Sequence, residues 1–177
     1  MDVKKLIEDV ITDLANNCTL ESISSKVQVI SRLLKNDKFR KWVDCEFVYG
    51  YKSDKDVPEY RIMYIVGVRA SYVVPVGFGG LMSYKDHQIP IENLGAKKYM
   101  KIAKIHVRDT ISIIQNAIKP EENIHLSIGP HESADIQEVL EGCQIMNMYK
   151  VVSSQQYQQI INKTKAMLVD FFIELNE

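Results

Sequence analysis

Cysteine is scarce in this chain. Cys18, Cys45 and Cys143 are odd in number and far apart in 177 residues. They form no CxxC pair and no disulfide framework. That excludes a stapled secreted scaffold and predicts a reducing compartment, the cytoplasm. An excess of either charge is missing too. Lys and Arg number 22 against 23 Asp and Glu, a formal net charge of -1. Such a balance argues against a dedicated nucleic-acid coat, while a local basic stripe remains compatible with it. The opening MDVKKLIEDV carries acids and no long apolar run. Neither a signal peptide nor a membrane span is expected. Repeats and low-complexity stretches are absent as well. The apolar share, 46%, is enough for a real core, and the length predicts one domain over residues 1–177.

The N-terminal part, residues 1–51, reads as three helices. Val3, Leu6, Ile7, Val10, Ile11 and Leu14 share one helical face. Thr19 is placed to cap a second helix with Leu20, Ile23, Val27, Ile30 and Leu34 on its apolar side. Asn36-Asp37 opens a third, where Phe39, Trp42, Val43 and Phe47 align. Gly50 can stop it, because glycine enters the left-handed region without steric cost. From residue 58 to residue 177 the chain reads as α/β. Tyr60, Ile62, Tyr64, Val66 and Val68 alternate as a strand, which Tyr72-Val73-Val74 either continues or follows with another. Pro75 to Gly80 reads as a turn-rich loop, and Ile89-Pro90-Ile91 as a short extended piece. Residues 96–106 fit helix or strand, and Val107 to Ile118 a helix. A strand at Ile124 to Ile128, a helix at Pro130 to Gly142 and a strand at Ile145 to Val152 follow. A long last helix, capped by Ser153 or Ser154, carries Tyr157, Ile160, Ile161, Thr164, Leu168, Phe171 and Leu175. The fold class expected is α+β: a three-helix region, a small mixed sheet packed with helices, and a long C-terminal helix.

Chemistry is hard to find in these residues. His87, His106, His125 and His131 lack the spacings of metal sites, so no metal and no cofactor is expected. Cys45 lies toward the end of its helix, where the dipole opposes a thiolate. No GxSxG elbow and no GxGxxG occurs, and GFGG at Gly77 to Gly80 reads as a plain turn. No catalytic residue is therefore assigned. Lys97, Lys101, Lys104 and Arg108 would share one side of a helix and could contact phosphates through Lys101, Lys104 and Arg108. A solvated lysine face is the commoner outcome of such a pattern. Arg61 is suited to a bidentate pair with a carboxylate, and Glu46 is an attractive partner.

The order of residues from Phe39 to Arg61 is more distinctive. Trp42-Val43, Glu46-Phe47, Gly50-Tyr51, a charged gap and Val57-Pro58-Glu59-Tyr60-Arg61 resemble the signature of the AbiTii domain. Ile89-Pro90-Ile91, Val107-Arg108-Asp109-Thr110-Ile111 and the segment from Ser153 to Glu177 are similar to later elements of that family. This chain departs from the family's Glu-Leu-Asn-Gly-Tyr pattern, reading Glu46-Phe47-Val48-Tyr49-Gly50. Lys165 and Phe171 or Phe172 stand where the last helix of the family often carries Arg and Trp. The resemblance implies a role in bacterial abortive infection and anti-phage defence, with no catalytic residues to carry over. It implies an interaction or oligomerisation module whose partner is another defence protein or a second copy. Trp42, Glu46, Gly50, Tyr51, Pro58, Glu59, Tyr60 and Arg61 would form the junction that presents the recognition surface. The alternatives are a toxin-like enzyme on nucleic acid, with His106 as acid–base group, and a sensor of a nucleotide signal.

Overall fold

Side-chain caps start the first three helices. In the computed structural model, which describes residues 2–119 and 122–176, Asp2 accepts from Lys4 N at 3.0 Å and opens α1 (Val3–Ala15). Thr19 accepts from Ser22 N at 3.2 Å ahead of α2 (Leu20–Leu33). Asn36 accepts from Phe39 N at 3.0 Å ahead of α3 (Asp37–Val43). Each cap satisfies an amide that has no partner inside its helix. The faces read from the spacing are the buried ones: Ile7, Val10 and Leu14 on α1, Leu20, Ile23, Val27 and Ile30 on α2. Beyond Val43 the chain continues as a π-helical stretch, Asp44–Tyr49, and Gly50 ends it at φ +71°.

One compact unit is helical. Besides the chain up to Arg61 it contains His106–Lys119, with α5 (Ile111–Ala117), and nearly all of α7 (Ser154–Asn176). Helix α2 packs against α1, α3 and α5. Phe39 of α3 stacks on Phe171 of α7 at 3.8 Å between centroids and meets Phe172 edge-on. Glu177, the last residue of the family-like ending, lies outside the described residues.

The second unit is built on a four-stranded sheet in the order β3-β2-β6-β5. Its strands are β2 (Gly67–Val76), β3 (Gly80–Ile89), β5 (Asn123–Leu126) and β6 (Gln144–Ser153). A separate two-stranded sheet pairs β1 (Ile62–Tyr64) with β4 (Lys104–His106). The α+β class is as expected, but every pairing in the four-stranded sheet is antiparallel, so this sheet is not mixed. The order of strands and helices along a chain does not fix strand direction, and here the helices lie in excursions between antiparallel neighbours. Val68, Ala70 and Tyr72 of β2 turn to one face. There they join Ile89, Ile91, Ile102, Ile136 and Leu140 in a core that holds α4 (Ala96–Ala103) and α6 (Pro130–Gln137). Lys150 is buried on this side and ion-paired to Glu132 at 2.6 Å.

Several boundaries differ from the expectation. The strand read from Tyr60 to Arg69 is split. Residues 59–61 form a 3-10 turn, and the backbone then changes partners, Ile65 N donating to Ala103 O and Val66 N to Val151 O. Residues 96–106 are helix and then strand, and α5 starts only after Thr110. Helix α6 stops at Gln137, well before Gly142. Strand β3 is a full ten residues where only a short extended piece was legible. It is an edge strand, exposed at every residue but Tyr84 and Ile89, so no alternation marks it.

Candidate functional site

Glu46 and Arg61 are both wholly buried and paired to each other in the helical unit. Arg61 Nε donates to Glu46 Oε1 at 3.0 Å, and Nη2 donates to Oε2. The remaining nitrogen, Nη1, donates to the backbone carbonyls of Asp109 at 2.6 Å and Val107 at 3.2 Å. Glu46 Oε1 also accepts from Tyr51 Oη at 2.5 Å and Tyr60 Oη at 2.6 Å, while Thr164 Oγ1 donates to Oε2 at 3.4 Å. Trp42 Nε1 donates to Tyr60 Oη at 3.0 Å, and the guanidinium lies 5.2 Å from the centre of the Tyr51 ring. Every oxygen and nitrogen of the pair thus has a partner, the condition under which a buried ion pair is tolerable.

Local sequence explains the convergence. Glu46 lies in the π-helical stretch and is wholly buried, while Tyr49 at its end is exposed. Gly50 then lets the chain reverse against the backbone of Arg108, and Tyr51 N donates to Arg108 O at 2.8 Å. A Cβ at position 50 would collide with that same carbonyl oxygen. Pro58 O accepts from Arg61 N at 2.9 Å in the 3-10 turn that presents the guanidinium, and Arg61 O accepts from Val107 N at 3.0 Å. Glu59 is exposed and takes no part in the cluster. The pairing of Glu46 with Arg61 expected from the sequence is present, and both partners belong to the helical unit.

The buried charge governs its neighbours. Burial first, and then the Glu46 carboxylate, push the Tyr51 and Tyr60 hydroxyls well above the ordinary tyrosine range. The Cys45 thiol is raised too, by burial first and then by Glu46 and Asp44. This is the direction the sequence implied, with a different cause from the helix dipole.

The basic stripe does not form. Helix α4 ends at Ala103 and Lys104 opens β4, so no single helix face carries all four cations. Lys101 faces Asp135 at 3.4 Å. Arg108 donates to Lys52 O at 3.2 Å and lies 3.8 Å from Asp54, which is also 3.7 Å from His106.

A second polar cluster, on the sheet, escaped the sequence reading. Arg69 Nε donates to Asp86 Oδ1 at 2.8 Å, Arg69 Nη2 donates to Asp86 O, and Tyr149 Oη also donates to Asp86 Oδ1. Asp86 sits at φ +48°, where the pairing of β2 with β3 shifts register between Ala70 and Tyr72. The Arg69 hydrogen bond, followed by that from Tyr149, holds the Asp86 carboxyl below its ordinary range. The same carboxylate raises Tyr149. His125 stacks on Tyr149 at 4.2 Å. No spacing could reveal this group, because all four strands of the sheet contribute to it and a bulge aims its acid.

A profile of the AbiTii family matches residues 5–177. The chain belongs to the AbiTii family. No curated protein and no solved structure matches it. The signature residues of this AbiTii chain are, for the most part, the ones that surround the buried pair. AbiTii membership points to abortive-infection defence against phage. Among the described residues, no helix is long and apolar enough to cross a membrane.

Proposed function

We propose that this AbiTii protein serves abortive infection as a protein-interaction module, binding a second defence protein or another copy of itself, without catalysis of its own. Two features support the reading. Tyr51, Tyr60 and Arg61 direct polar atoms to Glu46, and Trp42 donates to the Tyr60 hydroxyl, so the signature maintains a scaffold. The Gly50 to Arg61 loop still presents Lys52, Asp54, Lys55, Asp56 and Glu59 to solvent.

The observation that carries the proposal is the tip of the β2–β3 hairpin. Val76, Phe78, Leu81 and Met82 are exposed there, and no charged residue occurs between Tyr72 and Tyr84. Phe78 and Gly79 both adopt positive φ, at +62° and +77°. Primed hairpin turns favour Asn-Gly in that conformation, and a bulky residue there is strained. A solvent-exposed aromatic side chain held in an unfavourable backbone conformation is a feature that recognition accounts for and folding does not.

The test compares the wild type with a Phe78→Asp/Leu81→Asp variant. Self-association is followed by sedimentation at micromolar concentration, and partners are sought by affinity purification during phage infection. The wild type should associate or retain a partner, and the variant should lose both that contact and protection against phage. A wild type that stays monomeric and partnerless would refute the proposal, as would a variant that behaves like it.

A further inference from the structure

We propose that the open face of the four-stranded sheet binds a nucleobase, presented by a free nucleoside or nucleotide, in the pocket between Arg69, Gln88, Asn123, His125 and Tyr149. This proposal stands independently of the interaction reading. The pocket measures about 300 Å³, the lower end of the range for small-molecule sites. Val66, Gly67 and Val151 contribute apolar surface to its lining.

The chemistry of this lining suits a flat heterocycle. His125 and Tyr149 stack with 29° between their planes, and His125 is exposed, so its outer face offers a stacking surface. Bases stack on aromatic side chains of sheets in this manner. Asp86 anchors the Tyr149 hydroxyl and so fixes the ring pair in place. The carboxamides of Gln88 and Asn123 hydrogen-bond to no other described residue. Each has donors and an acceptor, as reading a base edge requires. Arg69 commits Nε and Nη2 to Asp86, which leaves Nη1 as a further donor.

Charge decides between a mononucleoside and a strand. Arg69 and Asp86 cancel, and Ser71 and Asn147, which continue the same face, are neutral and bonded to each other. A polynucleotide would need a basic track to follow its phosphates, and this face has none. Asp86 also carries a positive φ at a β-bulge, and both features recur beside binding sites.

The test is an NMR titration of the full chain with adenosine, guanosine, cytidine and uridine in turn. Inorganic phosphate and a short single-stranded RNA serve as separate arms. At least one nucleoside should give saturable shifts centred on Gln88, Asn123, His125 and Tyr149, and inorganic phosphate should not displace it. His125→Ala, on an exposed edge-strand position, should weaken that binding about tenfold or more, the usual scale of a lost base stack. The wild-type shift map stands by itself should the variant misfold. Absence of saturable binding by all four nucleosides overturns the proposal. So do shifts centred elsewhere, displacement by phosphate, binding of the RNA alone, or a folded His125→Ala variant with unchanged affinity.

Discussion

Burying a guanidinium and a carboxylate costs several kcal/mol per ion unless their donors and acceptors are all matched. Around Arg61 and Glu46 they are, by two tyrosines, a threonine and two backbone carbonyls. Removing one partner strands the other in a water-free site. Arg61→Ala should therefore lower stability by about 3–5 kcal/mol in urea unfolding, and a loss near zero would show that water reaches Glu46. The tyrosines make a second prediction. Their hydroxyls remain protonated in the native protein at pH values where the unfolded chain ionises, above about 10. The native state then holds more protons, so stability falls as pH rises through that region, and is unaffected by these groups below it. Urea unfolding between neutral pH and pH above 10 should show the decline, and Tyr51→Phe should lessen its steepness. An identical slope in the variant would refute the assignment. The pairing of Arg61 with Glu46 was legible in sequence because both lie in one distinctive block. The carbonyls of Val107 and Asp109 were not, since backbone acceptors leave no mark on composition.

Elements in this chain begin and end where caps and glycines put them. Thr19 and Asn36 start α2 and α3 as read, and Gly50 ends the π-helical stretch. Gly50 combines a positive φ with close approach to Arg108 O. Gly50→Ala should destabilise by about 1–3 kcal/mol or more, measured by thermal unfolding, and a neutral result would mean the loop relaxes freely. The hairpin tip behaves in the opposite sense. Phe78→Asn suits the left-handed conformation and removes an exposed ring, so it should raise stability by up to about 1 kcal/mol while weakening association. Stability and binding that fall together would mean that Phe78 supports the fold. Helices were easier to read than strands for a physical reason. An amphipathic helix shows its burial in its own spacing, whereas β3 owes its existence to pairing with β2 and buries almost nothing.

At the scale of the whole molecule, the helical unit is assembled from three separated stretches and the sheet unit from two. Helix α7 brings Tyr157, Ile160, Thr164, Leu168 and Phe172 into buried positions of the helical unit. Ending the chain after Ser154 should thus abolish cooperative unfolding of that unit, and circular dichroism should lose more helix than α7 alone contributes. A loss limited to α7 would show that the other helices fold without it. The sequence by itself determined the α+β class, the helix caps, the amphipathic faces and the AbiTii signature. These properties reside in neighbours within a few residues of one another, where spacing and steric preference act directly. Tertiary structure alone decided the antiparallel sheet, the assembly of each unit from separated stretches of chain and the loss of the basic stripe. It alone also brought Asp86 to His125 and Tyr149 through their strands. Each of these depends on which distant segments meet, and a burial energy shared between remote residues is recorded in neither of them separately.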